Sequence, residues 1–289
     1  MLEAKGPNAE QIHYWNEVSG PKWVKLDHMI NGLIEPIGSH AITEANPQPG
    51  ERVLDVGCGC GDTSLKLAAA VGSEGSVVGV DVSAPMLAEA TSRRDRTGAS
   101  NLDFENADAQ IGGFTQGFHD LVFSRFGVMF FADPSAAFAN LRSSLRPGGR
   151  IVFACWQSRE KNPWLSLPAA AAMKHFETPP APPIEAPGPF SLCDSERITR
   201  LLEGSGFGAV RCRSVEQSID VSAGLSLDEA VKFLAQMGPT GALLNTASED
   251  VRNAALGSIH EVLVPHRSDQ GIELGAAVWI VSAMRDQPE

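Results

Sequence analysis

From about residue 50 to residue 155, short continuous apolar runs alternate with stretches whose apolar residues recur every three or four positions. A continuous run of this kind suits a strand buried on both faces, and the three-to-four spacing suits a helix with one buried face. The alternation therefore predicts a parallel sheet wrapped by helices. The predicted strands are Arg52 to Val56, Ser76 to Asp81, Leu102 to Asn106, Asp120 to Ser124 and Arg150 to Trp156. One helix is expected from about Asp62 to Val71. A second starts at a Ser83 cap, with Pro85 in its first turn and Met86, Leu87 and Ala90 at helical spacing. A third opens at Asp133-Pro134, steps through Phe138, Leu141 and Leu145, and stops at Pro147-Gly148-Gly149.

Outside this segment the pattern loosens. The first 45 residues read as amphipathic helix and are expected to form an N-terminal helical lid, or simply to cover the sheet. A short helix is expected from Asn162-Pro163 to about Phe176, then an extended proline-rich loop from Pro179 to Pro189. Another helix runs from Asp194-Ser195 through Leu202 to Gly204 and Gly206. Phe207 to Val221 and Gly271 to Ala283 read as a hairpin-like pair of final strands. Between those strands, Leu227 to Met237 and Ser248 to Val264 are helical, so residues 226–265 form a helical cap inserted before the last strand. The expected fold is α/β, a doubly wound, mostly parallel seven-stranded sheet of the Rossmann-like kind, built from residues 46–225 and 266–289.

Charge narrows the function. A net charge of −12 repels polyphosphates, so a nucleic-acid partner is not expected and a small-molecule one is. No apolar run approaches 18 residues, and Met1-Leu2-Glu3-Ala4-Lys5 lacks the plan of a signal peptide. The expectation is a cytoplasmic protein without a membrane span. Five cysteines without secretory context read as reduced thiols. Cys58 and Cys60 are too hemmed in by glycine for a four-ligand cage, so no metal is expected.

The candidate chemistry lies where the first strand runs into Gly57-Cys58-Gly59-Cys60-Gly61 and a helix. Glycines permit positive-φ turns and a close backbone approach to a ligand, and the helix start offers free N–H groups. Asp81 ends the second strand 24 positions after Gly57, where its carboxylate could accept from both hydroxyls of a ribose. Asp81 as a neighbour of the Ser83 cap, and a tight turn without any ligand, are the plain alternatives. A dinucleotide loop needs a third glycine at position 62, which is Asp62. With Asp55 upstream, a pyrophosphate there would meet like charges.

These motifs in order resemble the class I S-adenosylmethionine-dependent methyltransferases, in the branch similar to ubiquinone/menaquinone C-methyltransferases and other small-molecule enzymes. The resemblance spans about residues 50 to 156. It rests on Val53-Leu54-Asp55-Val56-Gly57-Cys58-Gly59-Cys60-Gly61, Val78-Gly79-Val80-Asp81-Val82-Ser83, Asn106-Ala107-Asp108-Ala109, the run His119 to Gly127, and Leu145-Arg146-Pro147-Gly148-Gly149-Arg150. It implies S-adenosyl-L-methionine as cofactor, with Asp55, Gly57, Cys58 and Gly59 among the residues that bind it, Gly57 to Gly61 passing beneath the methionine and Asp81 on the ribose. It also implies Val82 and Met86 on the adenine, Asp108 accepting from the adenine amine, and Ala109 offering its backbone N–H. Ser124, Arg125 and Phe126 would line the floor near the methyl group. Unlike family members that methylate nucleic-acid amino groups, which follow strand four with an acid or Asn, two prolines and an aromatic, this chain has Ser124-Arg125-Phe126-Gly127.

Methyl transfer is an in-line displacement that needs alignment and exclusion of water, and a catalytic residue is not obligatory. No histidine falls in a motif; His119 lies at the wrong end of its strand, and His13 and His28 receive no role. Tyr14, Trp15, Trp23 and Phe130 are candidate substrate or lid residues and favour an apolar or ring-bearing acceptor, though each could equally be core. A nicotinamide-dependent oxidoreductase and a non-catalytic S-adenosylmethionine-binding protein stay as alternatives, and a homodimer stays open.

Overall fold

The computed structural model describes residues 2–177 and 185–287; of the expected proline-rich loop, residues 179–184 lie outside the described residues. The five predicted strands form β1 (Arg52–Val56), β2 (Ser76–Asp81), β3 (Leu102–Asn106), β4 (His119–Arg125) and β5 (Leu145–Trp156), all paired in parallel. The final pair, β6 (Phe207–Asp220) and β8 (Gly271–Arg285), is antiparallel, and β8 inserts between β5 and β6. The order is β3-β2-β1-β4-β5-β8-β6, so the main path has the seven strands expected, while a two-residue strand β7 (Arg267–Ser268) pairs with β8 as an unforeseen addition. The order reverses between β1 and β4, the topological switch point at which open α/β sheets bind ligands beyond the carboxyl ends of their strands.

The helices α3 (Asp62–Val71), α4 (Ala84–Thr97) and α5 (Pro134–Ser144) follow the predicted spans. One boundary differs: Leu145 was expected to be the last residue of α5, yet it opens β5 opposite His119. The register then shifts before Leu121 pairs with Arg150, so Arg146-Pro147-Gly148-Gly149 is an irregular strand start rather than a helix stop. Proline disfavours helical backbone at the preceding residue, and glycine follows strand irregularities easily. Asp120 organises this edge. It accepts from the Arg52 backbone N–H at 2.8 Å and Arg52 Nε at 3.0 Å, and from Arg146 Nε on β5.

Two N-terminal pieces behave differently. The long helix α2 (Gly20–Ala45) buries Ile30, Leu33, Ile34, Ile37, Gly38, Ala41 and Ala45 at three-to-four spacing and lies on β4, β5 and β8, so it covers a sheet face. Pro36 is exposed within it. The shorter piece, α1 (Ala9–His13) followed by a π-helical turn over Tyr14–Val18, lies at the strand ends. After β5 come α6 (Pro163–Met173) and α7 (Ser195–Gly204). Between β6 and β8, where two helices were expected, there are three: α8 (Leu227–Leu234), α9 (Gly238–Leu244) and α10 (Glu249–Leu263). The additional helix is α9, which starts at Gly238 with Pro239 in its first turn. Both α9 and α10 pack on α6, and Lys22 of α2 reaches Asn245 just past α9. Among the described residues, no helix is long and apolar enough to cross a membrane.

Burial opposes ionisation of Asp120, but the hydrogen bonds from Arg52 and Arg146 outweigh it and hold the carboxyl at about 2, below its ordinary 3.8. A depressed acid stabilises the fold above its unfolded pKa and loses that contribution as pH falls through the folded one. Asp120→Asn is expected to lower stability by about 1–2 kcal/mol at neutral pH, discounted for the partly exposed arginines. In denaturant titrations the deficit relative to wild type should shrink between about pH 4 and pH 2; a pH-independent deficit would contradict the assignment.

Candidate functional site

Four loops converge where β1, β2, β3 and β4 end at the switch point. In the first, Gly57, Gly59 and Gly61 have φ of 67°, 58° and 84°, the left-handed region that glycine enters at little cost. Space demands glycine too. A Cβ at position 57 would stand 2.7 Å from Gly127 Cα on the β4 loop, and one at 59 would press on Met86 Cε at 3.0 Å. The Gly57 and Cys58 N–H groups donate to Val80 O at 2.8 and 3.2 Å, which folds the loop back over β2. Cys58 and Cys60 are buried and burial pushes both thiols up, so they stay protonated; no metal-holding cluster occurs among the described residues.

Asp81 closes the second loop onto the first. Its Oδ2 accepts from Gly59 N–H at 2.9 Å and its Oδ1 from Ser83 N–H at 2.8 Å. Burial raises its pKa, against the pull of those backbone N–H groups. Each oxygen keeps a lone pair for a further donor. The expected cap at Ser83 is corrected in detail: Ser83 holds the cap position, but its hydroxyl donates to Trp15 O at 2.8 Å. Asn16 caps α4 instead, accepting from Ala84 N–H at 3.0 Å while its amide donates to Val82 O at 2.9 Å. Val82 is half-buried beside Met86, which is buried.

At the end of β3, Asp108 is 4% exposed and Ala109 is buried beside it. Asp108 Oδ1 accepts from Asn8 Nδ2 at 2.8 Å and from Gln110 N–H at 2.9 Å, whereas its Oδ2 is buried without a partner. Asn8 Oδ1 in turn accepts from Ala132 N–H at 2.7 Å.

The residues expected on the floor divide. Ser124 is fully buried, and its hydroxyl donates to Val56 O at 2.7 Å and accepts from Gly127 N–H at 3.2 Å. It clamps the β1 and β4 loops together. Arg125 is half-buried, with Asp62 at 3.3 Å and Asn31 of α2 at 2.8 Å. Asp62 also pairs with Lys66 at 3.4 Å. Its charge is therefore shared, and the case against a dinucleotide rests on the missing glycine more than on a bare carboxylate. Phe126 holds a left-handed φ of 66° and stacks on Trp156 of β5, with centroids 4.2 Å apart and planes 3° from parallel. Such a backbone strain persists only where its surroundings enforce it.

Asp55 is fully buried rather than open to a ligand. Its Oδ2 accepts from Ser64 Oγ at 2.6 Å and Thr63 Oγ1 at 2.9 Å at the start of α3, and its Oδ1 is without a partner. Burial pushes its pKa up to about 6, against those hydroxyls and Arg125.

The four aromatic candidates come together. Trp15 meets Tyr14, Trp23 and Phe130 edge to face, with centroids 5.7, 5.7 and 5.2 Å away. His13 and His28 are exposed, and His119 is buried at the far end of β4 with its pKa lowered by that burial. A cavity of about 310 Å³ is lined only by N-terminal residues, among them Leu2, Ile12, His13 and Asn16. Asn8 and Asn16 were missed in the sequence. Asn8 precedes a helix and so looks like its cap, but it makes no side-chain cap bond; Asn16 shares the buried face of Ile12, a polar residue out of place there.

The fold is a mostly parallel open sheet flanked by helices, of the Rossmann-like kind. Residues 53–149 match the family model described as a methyltransferase domain, which places that domain over β1 to the start of β5. The chain is 37% identical over 118 residues to the aklanonic acid methyltransferase DauC of Streptomyces sp. (strain C5), and this match covers 41% of the chain. The chain spans about half the length of that relative, 54%. It is 29% identical over 217 residues to a demethylmenaquinone methyltransferase of Staphylococcus saprophyticus, covering 71% of the chain and 91% of the relative. Among solved structures, the YcgJ protein of Bacillus subtilis superposes with a TM-score of 0.57 at 16% identity, over 86% of this chain and all of that one.

The raised acid gives a test of the loop. An acid whose folded pKa exceeds its unfolded one makes the fold less stable as pH rises between the two. Asp55→Asn, which keeps an acceptor for Thr63 and Ser64, should gain on wild type by about 2–3 kcal/mol as pH rises from about 4 to about 6, then hold that gain. Calorimetric unfolding across this range checks it; a constant difference would contradict the burial of an ionisable Asp55.

Proposed function

We propose that the chain transfers a methyl group from S-adenosylmethionine to a small apolar or ring-bearing acceptor. The observation that carries this reading is the pairing of the triple-glycine turn, held by Asp81, with Asp108, whose buried Oδ2 lacks a donor. The purine amine is a donor of the right kind, and an unmet buried acceptor is costly. The residues present thus fit the nucleoside. When bound, S-adenosylmethionine supplies a sulfonium-activated methyl group for in-line displacement.

In this reading Gly57, Cys58 and Gly59 present backbone beneath the methionine, and Asp81 accepts from the ribose hydroxyls through its remaining lone pairs. Val82 and Met86 flank the adenine, while Asp108 and the Ala109 N–H read its edge. Arg125 and Phe126 shape the floor from beneath, and Asp55 acts indirectly by fixing the start of α3. Residues 2–18 act as the lid and exclude water, and residues 226–265 bound the acceptor side, where Asn245 meets Lys22 of α2. The Tyr14, Trp15, Trp23 and Phe130 cluster favours a flat apolar acceptor. The relatives named for aklanonic acid and demethylmenaquinone support such an acceptor, and the net charge of −12 speaks against a nucleic acid. No side chain is assigned as general base, since alignment and dehydration can supply the catalysis.

Thermal unfolding should shift upward with S-adenosylmethionine or S-adenosylhomocysteine and stay unchanged with NAD or NADP; stabilisation by NAD alone would overturn the reading. Asp81→Ala should weaken S-adenosylhomocysteine by about 1.5–3 kcal/mol in calorimetry, the scale of hydrogen bonds to a charged group. Transfer of labelled methyl to a quinone-like or polyketide-like acceptor panel separates an enzyme from a protein that only binds the cofactor.

A further inference from the structure

The N-terminal segment is tied to the strand ends by a handful of polar contacts, and one of them does more than hold it. Asn8 is 4% exposed and stands just before α1, yet its side chain makes no cap bond. Its amide instead spans two distant loops, donating to Asp108 Oδ1 at 2.8 Å and accepting from Ala132 N–H at 2.7 Å. Gln110 N–H also donates to Asp108 Oδ1, at 2.9 Å. Both lone pairs of that oxygen are thereby occupied, which fixes the carboxylate plane and makes Oδ2 the oxygen left to receive a donor.

We propose that Asn8 is a positioning residue that fixes the free oxygen of Asp108 for the purine 6-amino group of the cofactor, making the N-terminal segment part of the nucleoside pocket. The proposal rests on the S-adenosylmethionine reading above. Without Asn8, Asp108 can rotate and either oxygen must be ordered by the ligand itself, so preorganisation is lost. The same amide reaches the acceptor side, because Ala132 lies two residues past Phe130, whose ring packs on Trp15 at 5.2 Å. One side chain therefore links the purine edge to the aromatic wall.

The test compares two ligands by calorimetry on the full chain: S-adenosylhomocysteine, and its analogue with hydrogen in place of the purine 6-amino group. Asn8→Ala should weaken S-adenosylhomocysteine about tenfold and the analogue less than about twofold. Asn8→Leu, which keeps the bulk of the side chain but removes the donor to Asp108, should show the same loss of preference. Asn16→Ala, which loosens the same segment without touching Asp108, sets the pattern of a plain latch by weakening both ligands equally. Equal weakening by the Asn8 variants would overturn the role of Asn8 while leaving the cofactor reading intact. A wild-type protein that binds neither ligand would overturn both.

Discussion

Asp81 accepts one backbone N–H from each of two loops, adding a side-chain tie to the backbone bonds that Gly57 and Cys58 make to Val80. Through Gly59 it holds the glycine turn after β1, and through Ser83 it sets the start of α4 after β2. The turn itself is possible only because Gly57 comes within a Cβ's width of Gly127 and takes a left-handed φ. The switch point of the sheet supplies the cleft, and this carboxylate gives the cleft its shape. Ser124 repeats the device one strand over, joining Val56 to Gly127. Burial that would ordinarily discourage such polar groups is offset because nearly every one of their oxygens has a donor.

The exceptions are informative. Asp55 Oδ1 and Asp108 Oδ2 are buried without partners, one under the loop and one at its far edge. Asp55 meets its cost by a raised pKa. At Asp108, Asn8 and Gln110 donate to the other oxygen and leave Oδ2 for a further donor. Over these acids the N-terminal segment divides by position: α2 covers a face of the sheet, and residues 2–18 lie at the strand ends.

Much of the sheet was legible because strands buried on both faces write themselves as unbroken apolar runs, as Leu121-Val122-Phe123 and Ile151-Val152-Phe153 do. The glycine turn and Asp81 were legible for the same reason, since each sits at the end of such a run, whereas Asp108 follows the alternating strand β3 and was legible through its motif. Elsewhere local signals misled. Leu145 continues the helical spacing of Phe138 and Leu141 but is captured by pairing with His119, a contact made by the sheet and not by its neighbours. Ser124 looks like a polar residue facing a site, and only the closeness of β1 shows that its hydroxyl is occupied. Asn8 and Asn16 find partners 100 and 66 residues away, a distance at which helical periodicity carries no information. The four aromatics were individually ambiguous, and their convergence on Trp15 depends on the turn at Tyr14–Val18.

The central claim is that the strand-end loops and the short N-terminal piece form one nucleoside pocket. Hydrogen exchange resolved by mass spectrometry, with and without S-adenosylhomocysteine, tests it most directly. The account predicts that protection concentrates in residues 57–61, 81–84 and 107–110 together with residues 8–18, while α9 and α10 change little. Protection confined to other surfaces, or none at saturating ligand, would contradict it.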